Sequence, residues 1–300
     1  MSFYLGIDGG GSKTSCIIGD EESILGSGAS GPSNIVRIGE QQARQAIAAA
    51  INQACTAAKV NPSQIERTCI GVAGGARPET AEAVRRILSE ILGGEIEVVG
   101  DMVIAMEAAG GGPGVVVIAG TGSIAYGRNA AGQTARAGGW GFAISDEGSA
   151  HWIGRAAINA VMRACDEGEH PALLDSVMKA WCVQTREQMI LTANATPPAD
   201  FAGLFPTIVS IAESGDPIAH DVLAQAGAEL ASLAKIVIAR LFGDRDEVRV
   251  AMSGGVFRNA ALVRRVFYNN LRLTYPSVAV SDDVVDPVKG ALDLAREKGV

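Results

Sequence analysis

The chain writes one local pattern twice, and that repetition restricts its fold more than any other feature. LGIDGGGSKTSCII, Leu5 to Ile18, and VVIAGTGSIAYG, Val116 to Gly127, each run an apolar strand into a glycine–serine turn and back into an apolar strand. Aligned, Gly11-Ser12 falls on Gly122-Ser123. Short strands joined by such turns read as antiparallel pairs. In each copy a third strand follows a second turn: ILGSGAS after Gly19 to Glu22, and QTARAGG after the turn beyond Arg128. At 300 residues the chain is about twice the usual domain length, so each copy is expected to open its own lobe.

Between the copies the grammar changes. A helix is expected from about Glu40 to Lys59, then a strand TCIGVAG, a helix from Arg77 to Leu92, and a strand EIEVVGD. Strands alternating with helices after an antiparallel start predict a parallel extension of the sheet and an α/β class. Gly110 to Gly114 marks a junction. Helices dominate from about Ser149 to Phe242, with breaks near Gly168 to Pro171, Thr196 to Asp200 and Gly215 to Pro217. A strand EVRVAMSGG then feeds a helix from about Asn259, YPSVAVSDD reads as an edge strand, and Pro287 to Lys298 as a closing helix. The expected lobes are 1–110, joined by a returning helix over 287–300, and 111–286.

Lys and Arg number 25 against 33 Asp and Glu, so the net charge is −8 and nucleic acid is excluded as a partner. A phosphate ligand is not excluded, because backbone N–H groups and a cation receive one locally. Cys16, Cys55, Cys69, Cys165 and Cys182 never form a C-x-x-C pair and are expected as buried free thiols in the cytoplasm. No apolar run approaches 18 residues, and LASLAKIVIARLF, Leu230 to Phe242, reads as an amphipathic core helix rather than a membrane span. His151, His170 and His220 lack metal-ligand spacing.

Chemistry concentrates at three glycine turns. Asp8 to Thr14 offers a carboxylate at a strand end, three residues without side-chain hindrance, hydroxyls and an amine, which suits a polyphosphate with its metal. It is not a Walker A loop, since Ser12 stands where lysine is needed. Gly120 to Ser123 and Ser253 to Gly255 are turns of the same kind. Asp101 lies where a strand passes into an apolar helix, which fits an N-cap and also the crevice in which open α/β sheets bind ligands. Asn34 reads as a turn residue, Asp146 and Glu147 as caps of the helix near Ser149, and Trp140, set among glycines, as an exposed ring.

These stretches resemble the sugar kinase/Hsp70/actin ATPase superfamily: DGGGSKT as its first phosphate motif, VVIAGTGS as its second, and VAMSGGVFRN as its adenosine motif. Within it the chain is similar to the N-acetylglucosamine kinase branch of the BadF/BadG-type ATPase family. GPSNIV at 31–36, VVGDMVIAM at 98–106 and GGWGFAISDEGSAHWIG at 138–154 match further, and the likeness runs from residue 3 to about 295. The cysteine-rich zinc motif and E-x-G-H of the repressor–kinases are absent, as are the cluster-binding cysteines of the acyl-CoA dehydratase activators.

The resemblance implies two ribonuclease-H-like lobes with an inter-lobe cleft, an actin-like ATPase fold. It implies ATP and Mg²⁺ as cofactors and transfer of a phosphoryl group to the 6-hydroxyl of N-acetylglucosamine, with glucosamine and muramic-type sugars in competition. By it, Gly10, Gly11, Ser12, Lys13 and Thr14 hold phosphate, as do Gly120, Thr121, Gly122 and Ser123, while Gly254 and Gly255 hold adenosine. Asp8 is the metal residue and Asp101 the catalytic base. Asn34, Gly74, Gly139, Trp140, Gly141, Asp146 and Glu147 meet the sugar; Ala73 stands where a relative can carry a serine. An acetamide is favoured over a free amine because Glu147 is expected to turn away and cap the following helix. The expected partners are a small-molecule amino sugar and a second copy in a homodimer, with no membrane and no nucleic acid.

Overall fold

The computed structural model describes residues 2–75, 77–196, 199–243 and 247–297. The last residues of the expected returning helix, 298–300, and two of the expected loop break, 197 and 198, lie outside them. In chain order the elements begin β1 (Phe3–Gly9), β2 (Thr14–Gly19), β3 (Ile24–Ser30), α1 (Ile35–Ile38), α2 (Glu40–Ala58), β4 (Ile65–Val72), α3 (Pro78–Ser89), β5 (Glu95–Gly100) and α4 (Asp101–Ala108). They continue β6 (Gly114–Ala119), β7 (Ser123–Arg128), β8 (Thr134–Gly138), α5 (Ala150–Asp166), α6 (Ala172–Ala180), α7 (Arg186–Ala193), α8 (Phe205–Glu213) and α9 (Pro217–Leu241). The last are β9 (Arg249–Ser253), α10 (Gly255–Asn259), α11 (Ala261–Thr274), β10 (Ala279–Val285) and α12 (Pro287–Arg296). They form two compact units, one of residues 1–112 and 285–300, the other of 113–284.

In the first unit the sheet runs β3-β2-β1-β4-β5, antiparallel across β1, β2 and β3 and parallel across β1, β4 and β5. Alternate residues of a strand face opposite sides, so a strand covered on both must be apolar throughout. β1 obeys: Leu5 and Ile7 join Ile47, Ile51, Ile87 and Leu88 of α2 and α3, while Tyr4 joins Ile104, Val288 and Leu292 of α4 and α12. Where α12 crosses, glycine is a spatial necessity. A β-carbon on Gly6 would lie 2.4 Å from the Leu292 nitrogen, and one on Gly290 would lie 2.1 Å from the Ile104 carbonyl oxygen. Arg296 closes the helix end, donating to the carbonyls of Asp20 and Ser23 at 2.8 and 2.9 Å.

The second unit repeats the plan. Its sheet runs β10-β9-β6-β7-β8, with β6, β7 and β8 antiparallel and β6 parallel to β9. Each unit thus has a central strand with an antiparallel hairpin partner on one side and a parallel strand on the other, the ribonuclease-H-like α/β arrangement of actin-like ATPases. One continuous core joins Val115 and Val117 to Ile153, Val161, Leu230, Val237, Phe257 and Phe267.

Three local expectations need correction. Helix α9 begins at Pro217, capped by Asp216, whose side chain accepts from the Ala219 N–H at 2.8 Å. Its 25 residues include a stretch long and apolar enough to cross a membrane, but Leu223, Leu230, Ala234 and Ile238 are buried in the core, so it is a core helix. The turn after β9 already opens a helix at Gly255, and α11 follows after a break at Ala260. All five cysteines are free, but Cys165 is half-buried and Cys182, just past the end of α6, is exposed. Burial pushes the Cys69 thiol up to about 12.

Candidate active site

In the first unit the strand register lines the candidate residues up along one sheet edge. Gly9 pairs with Val72 and Val72 with Gly100, so β1, β4 and β5 end level. Asp8, the 73–75 loop and Asp101 therefore emerge side by side at the carboxyl ends of parallel strands, where open α/β sheets bind ligands. The turn after β1 is closed by the Gly10 N–H donating to the Lys13 carbonyl at 3.0 Å, which leaves Ser12 and Lys13 exposed at its tip. Thr14 does not join them. It is fully buried, with its hydroxyl 2.8 Å from both the Gly31 carbonyl and Ser33 Oγ, so it ties the turn to the next loop. The Ser33 N–H donates to the Gly10 carbonyl at 3.1 Å. That bond brings Asn34 beside the turn, where its side chain caps α1 by accepting from the Val36 N–H at 3.1 Å. Gly74 has φ +78°, and the neighbouring Gly75 packs on the end of β5.

Asp101 is not the N-cap of α4. Gly100 takes that place, and Asp101 is the first helical residue, its Oδ1 accepting from the Met102 N–H at 3.0 Å. Burial pushes its carboxyl above the usual carboxylate range, and the Met102 N–H offsets only part of that. A half-enclosed carboxylate held ready to take a proton is the form a general base requires.

In the second unit the parallel register of β6 and β9 pairs Ile118 with Ser253, so their glycine turns leave from the same end. They touch: a β-carbon on Gly254, where φ is +98°, would lie 2.3 Å from the Ala119 carbonyl oxygen. Gly120 and Gly255 differ. A β-carbon at Gly120 would meet nothing within 4 Å, and one at Gly255 only Asn259 Nδ2 at 3.9 Å. Both have ordinary φ, so neither backbone conformation nor the protein's own packing demands glycine there. Open backbone at adjoining strand ends is the room that a phosphate or a nucleoside fills.

The loop before α5 is fastened to the same place. The Ala150 N–H donates to the Gly120 carbonyl at 2.9 Å, and Ser123 Oγ donates to the Glu147 carbonyl at 2.7 Å. Ser123 is thus buried and buttresses the loop rather than facing a ligand. Asp146 sits at φ +68°, a conformation that costs a non-glycine residue energy and clusters at functional positions. Its Oδ2 would be 2.9 Å from a β-carbon on Gly122. The helix cap is Ser149, which accepts from the Trp152 N–H at 3.1 Å, not Asp146 or Glu147. Glu147 accepts from Ser145 Oγ at 2.8 Å, so the expectation that it turns away to cap the helix does not hold.

Trp140 is 58% exposed, with Gly139 and Gly141 on either side at φ +70° and +94°. Three neighbours went unremarked in the sequence. The Arg136 guanidinium lies 4.2 Å from the Trp140 ring centre, and Phe142 and Ile144 are exposed beyond it. The signal was the alternation of T-A-R-A-G, which turns Arg136 outward between buried Ala135 and Ala137.

The family model described as the BadF/BadG/BcrA/BcrD ATPase family matches residues 5–295. An N-acetylmuramic acid/N-acetylglucosamine kinase of Clostridium acetobutylicum is 32% identical over 99% of this chain and 99% of its own. An N-acetyl-D-glucosamine kinase of Dictyostelium discoideum is 29% identical over 97% of each. Among solved structures, a candidate N-acetylglucosamine kinase from Chromobacterium violaceum superposes with a TM-score of 0.79 at 26% identity, over 99% of each chain. The chain belongs to the BadF/BadG/BcrA/BcrD ATPase family.

Proposed function

We propose that the chain is an ATP-dependent amino-sugar kinase that phosphorylates the 6-hydroxyl of N-acetylglucosamine. The observation that carries this reading is the level ending of β1, β4 and β5, which sets Asp101, its carboxyl raised by burial, in line with the glycine turn after β1. The nature of the kinase relatives supports an amino sugar as acceptor. Asp101 accepts the proton of the attacking hydroxyl as the new O–P bond forms and ADP leaves, in a reaction governed by positioning and charge neutralisation. Gly10, Gly11, Ser12 and Lys13 and, in the second unit, Gly120, Thr121 and Gly122 receive the phosphates, and Gly254 and Gly255 the adenosine. Thr14 and Ser123 hold those turns in shape from behind.

Among the described residues no three metal-ligating side chains gather. Mg²⁺ suits such a donor set, since it keeps its waters and takes few carboxylates besides substrate phosphate. Asp8 would hold it, and the ion would neutralise charge on the transferring group. Asn34, Gly74, Gly139, Trp140, Gly141, Asp146 and Glu147 take the sugar. The five free thiols support a cytoplasmic setting. Assembly as a homodimer belongs to the same reading and is read by sedimentation.

With Glu147 not spent on the helix cap, preference for the acetamide rests on the N-acetyl relatives. The test is an ADP-release assay across amino sugars, with the product's phosphate located by NMR. The expected result is N-acetylglucosamine turned over with the highest kcat/KM and phosphate on O6. A higher kcat/KM for glucosamine overturns the acceptor, and failure of every amino sugar overturns the kinase.

A further inference from the structure

The loop from Trp140 to Asp146 is pinned at both ends to neighbouring residues of β7. At its start a β-carbon on Gly139 would lie 2.8 Å from the Ile124 side chain, and at its end Ser123 Oγ bonds the Glu147 carbonyl. Trp140 and Asp146 are therefore held at the mouth of one small closed loop. Onto the exposed Trp140 ring the Arg136 guanidinium is laid at 4.2 Å. Arg240 stands beside it, its Nη1 donating to the Arg136 carbonyl at 3.1 Å. Both arginines are exposed, and among the described residues neither has a carboxylate partner, although the chain carries a net charge of −8. A guanidinium that stacks on an aromatic ring keeps its edge N–H donors free for a planar bidentate acceptor. Two uncompensated guanidinium groups flanking a sugar platform in an acidic protein call for an anion there.

We propose that Arg136 is a specificity residue that pairs with a carboxylate carried by the acceptor sugar, so that the chain phosphorylates amino sugars bearing a carboxylate-containing ether, the muramic class, as well as N-acetylglucosamine. This rests on the reading of the 139–147 loop as the sugar site. Trp140 contributes the ring that fixes the guanidinium plane, and Arg240 adds charge at the rim. The chemistry of transfer is unchanged, since the distinguishing carboxylate lies away from the hydroxyl that attacks.

The test compares kcat/KM for N-acetylmuramic acid with that for N-acetylglucosamine in the wild-type chain, Arg136→Ala and Arg136→Lys. The wild type is expected to use both sugars. The ratio of muramic acid to glucosamine-type activity should fall about 10- to 100-fold in Arg136→Ala, the loss of a charge-assisted hydrogen-bond pair, and less in Arg136→Lys, which keeps charge without the fork. The ratio is decisive because a merely structural arginine would lower both activities together and leave it unchanged, which overturns the proposal. A change confined to the KM for ATP also overturns it, assigning Arg136 to phosphate. A wild type active on N-acetylglucosamine but inert to N-acetylmuramic acid sinks this inference while the kinase stands. Inactivity on both sinks the kinase reading first.

Discussion

At the scale of single residues, Asp101 shows how one environment serves chemistry at the expense of stability. Burial raises its carboxyl, so at pH 7 the folded chain holds an ionised group that it would prefer protonated. The contribution to stability is fully present below the ordinary carboxylate pKa and is lost as pH rises through the raised one. Asp101→Asn is therefore expected to raise Tm at pH 7, with the gain vanishing in acid, while kcat falls on the order of 10²- to 10⁴-fold. In the wild type, the acidic limb of the kcat/KM profile should lie above the usual carboxylate range. Near-normal turnover in Asp101→Asn removes it from the mechanism. The glycines separate two functions in the same way. Gly120→Ala places a β-carbon in open space, so Tm should hold while ATP binding, measured calorimetrically with Mg²⁺, weakens at least tenfold. Gly122→Ala pushes on Asp146 and should raise the KM for the sugar instead. Equal effects of both on ATP would mean the two glycines face one ligand. Turn glycines and strand-end carboxylates were legible in the sequence because few residue types tolerate those places. The buttressing of Thr14 and Ser123 was not, since a hydroxyl's direction depends on which distant loop returns to meet it.

At the scale of elements, α12 is the piece whose fit is tightest. Exposed helix glycines ordinarily gain about 1 kcal/mol on replacement by alanine. Gly290 is not such a site: its β-carbon would lie 2.1 Å from the Ile104 carbonyl oxygen and 2.5 Å from the Ala108 nitrogen, both backbone atoms of or just beyond α4 that cannot rotate away. Gly290→Ala should destabilise by about 1–3 kcal/mol, as overpacked cores do, a fall of several degrees in Tm. Lys289→Ala on the exposed face of the same helix should stay within about 0.5 kcal/mol. A Tm for Gly290→Ala at or above the wild type would mean that α12 can lift from α4 without cost. Strand existence was readable from period-two apolar runs bounded by glycine, and α2 from its alanine-rich span. The early start of α10 was hidden because Gly254-Gly255 reads as a turn, and only the Asn259 side chain, donating to the Gly255 carbonyl at 2.9 Å, shows one helical turn already formed.

At the scale of the whole molecule, the twice-written hairpin made two similar sheets legible, yet the chain does not divide into two contiguous halves. Residues 113–284 hold a sheet and a continuous core of their own. Residues 1–112 lack one side of theirs: Tyr4, Ile17, Cys69 and Ile104 are covered by Val288, Ala291, Leu292 and Ala295 of α12, which arrives only after the whole second unit has been made. Burying Val288 and Leu292 alone contributes about 3–6 kcal/mol, and a domain's entire margin is about 5–15 kcal/mol. Without α12 the apolar face of β1 is left to water and the Asp20 turn loses both bonds from Arg296. The fragment 113–284 is accordingly expected to be monodisperse and to melt cooperatively by circular dichroism. The fragment 1–112 should aggregate or melt without a transition, and joining 285–297 to it through a flexible linker should restore a cooperative melt. If 1–112 unfolds cooperatively unaided, the returning helix is an ornament on a complete core; if only the rejoined fragment does, the first unit cannot finish folding until the chain's end has emerged.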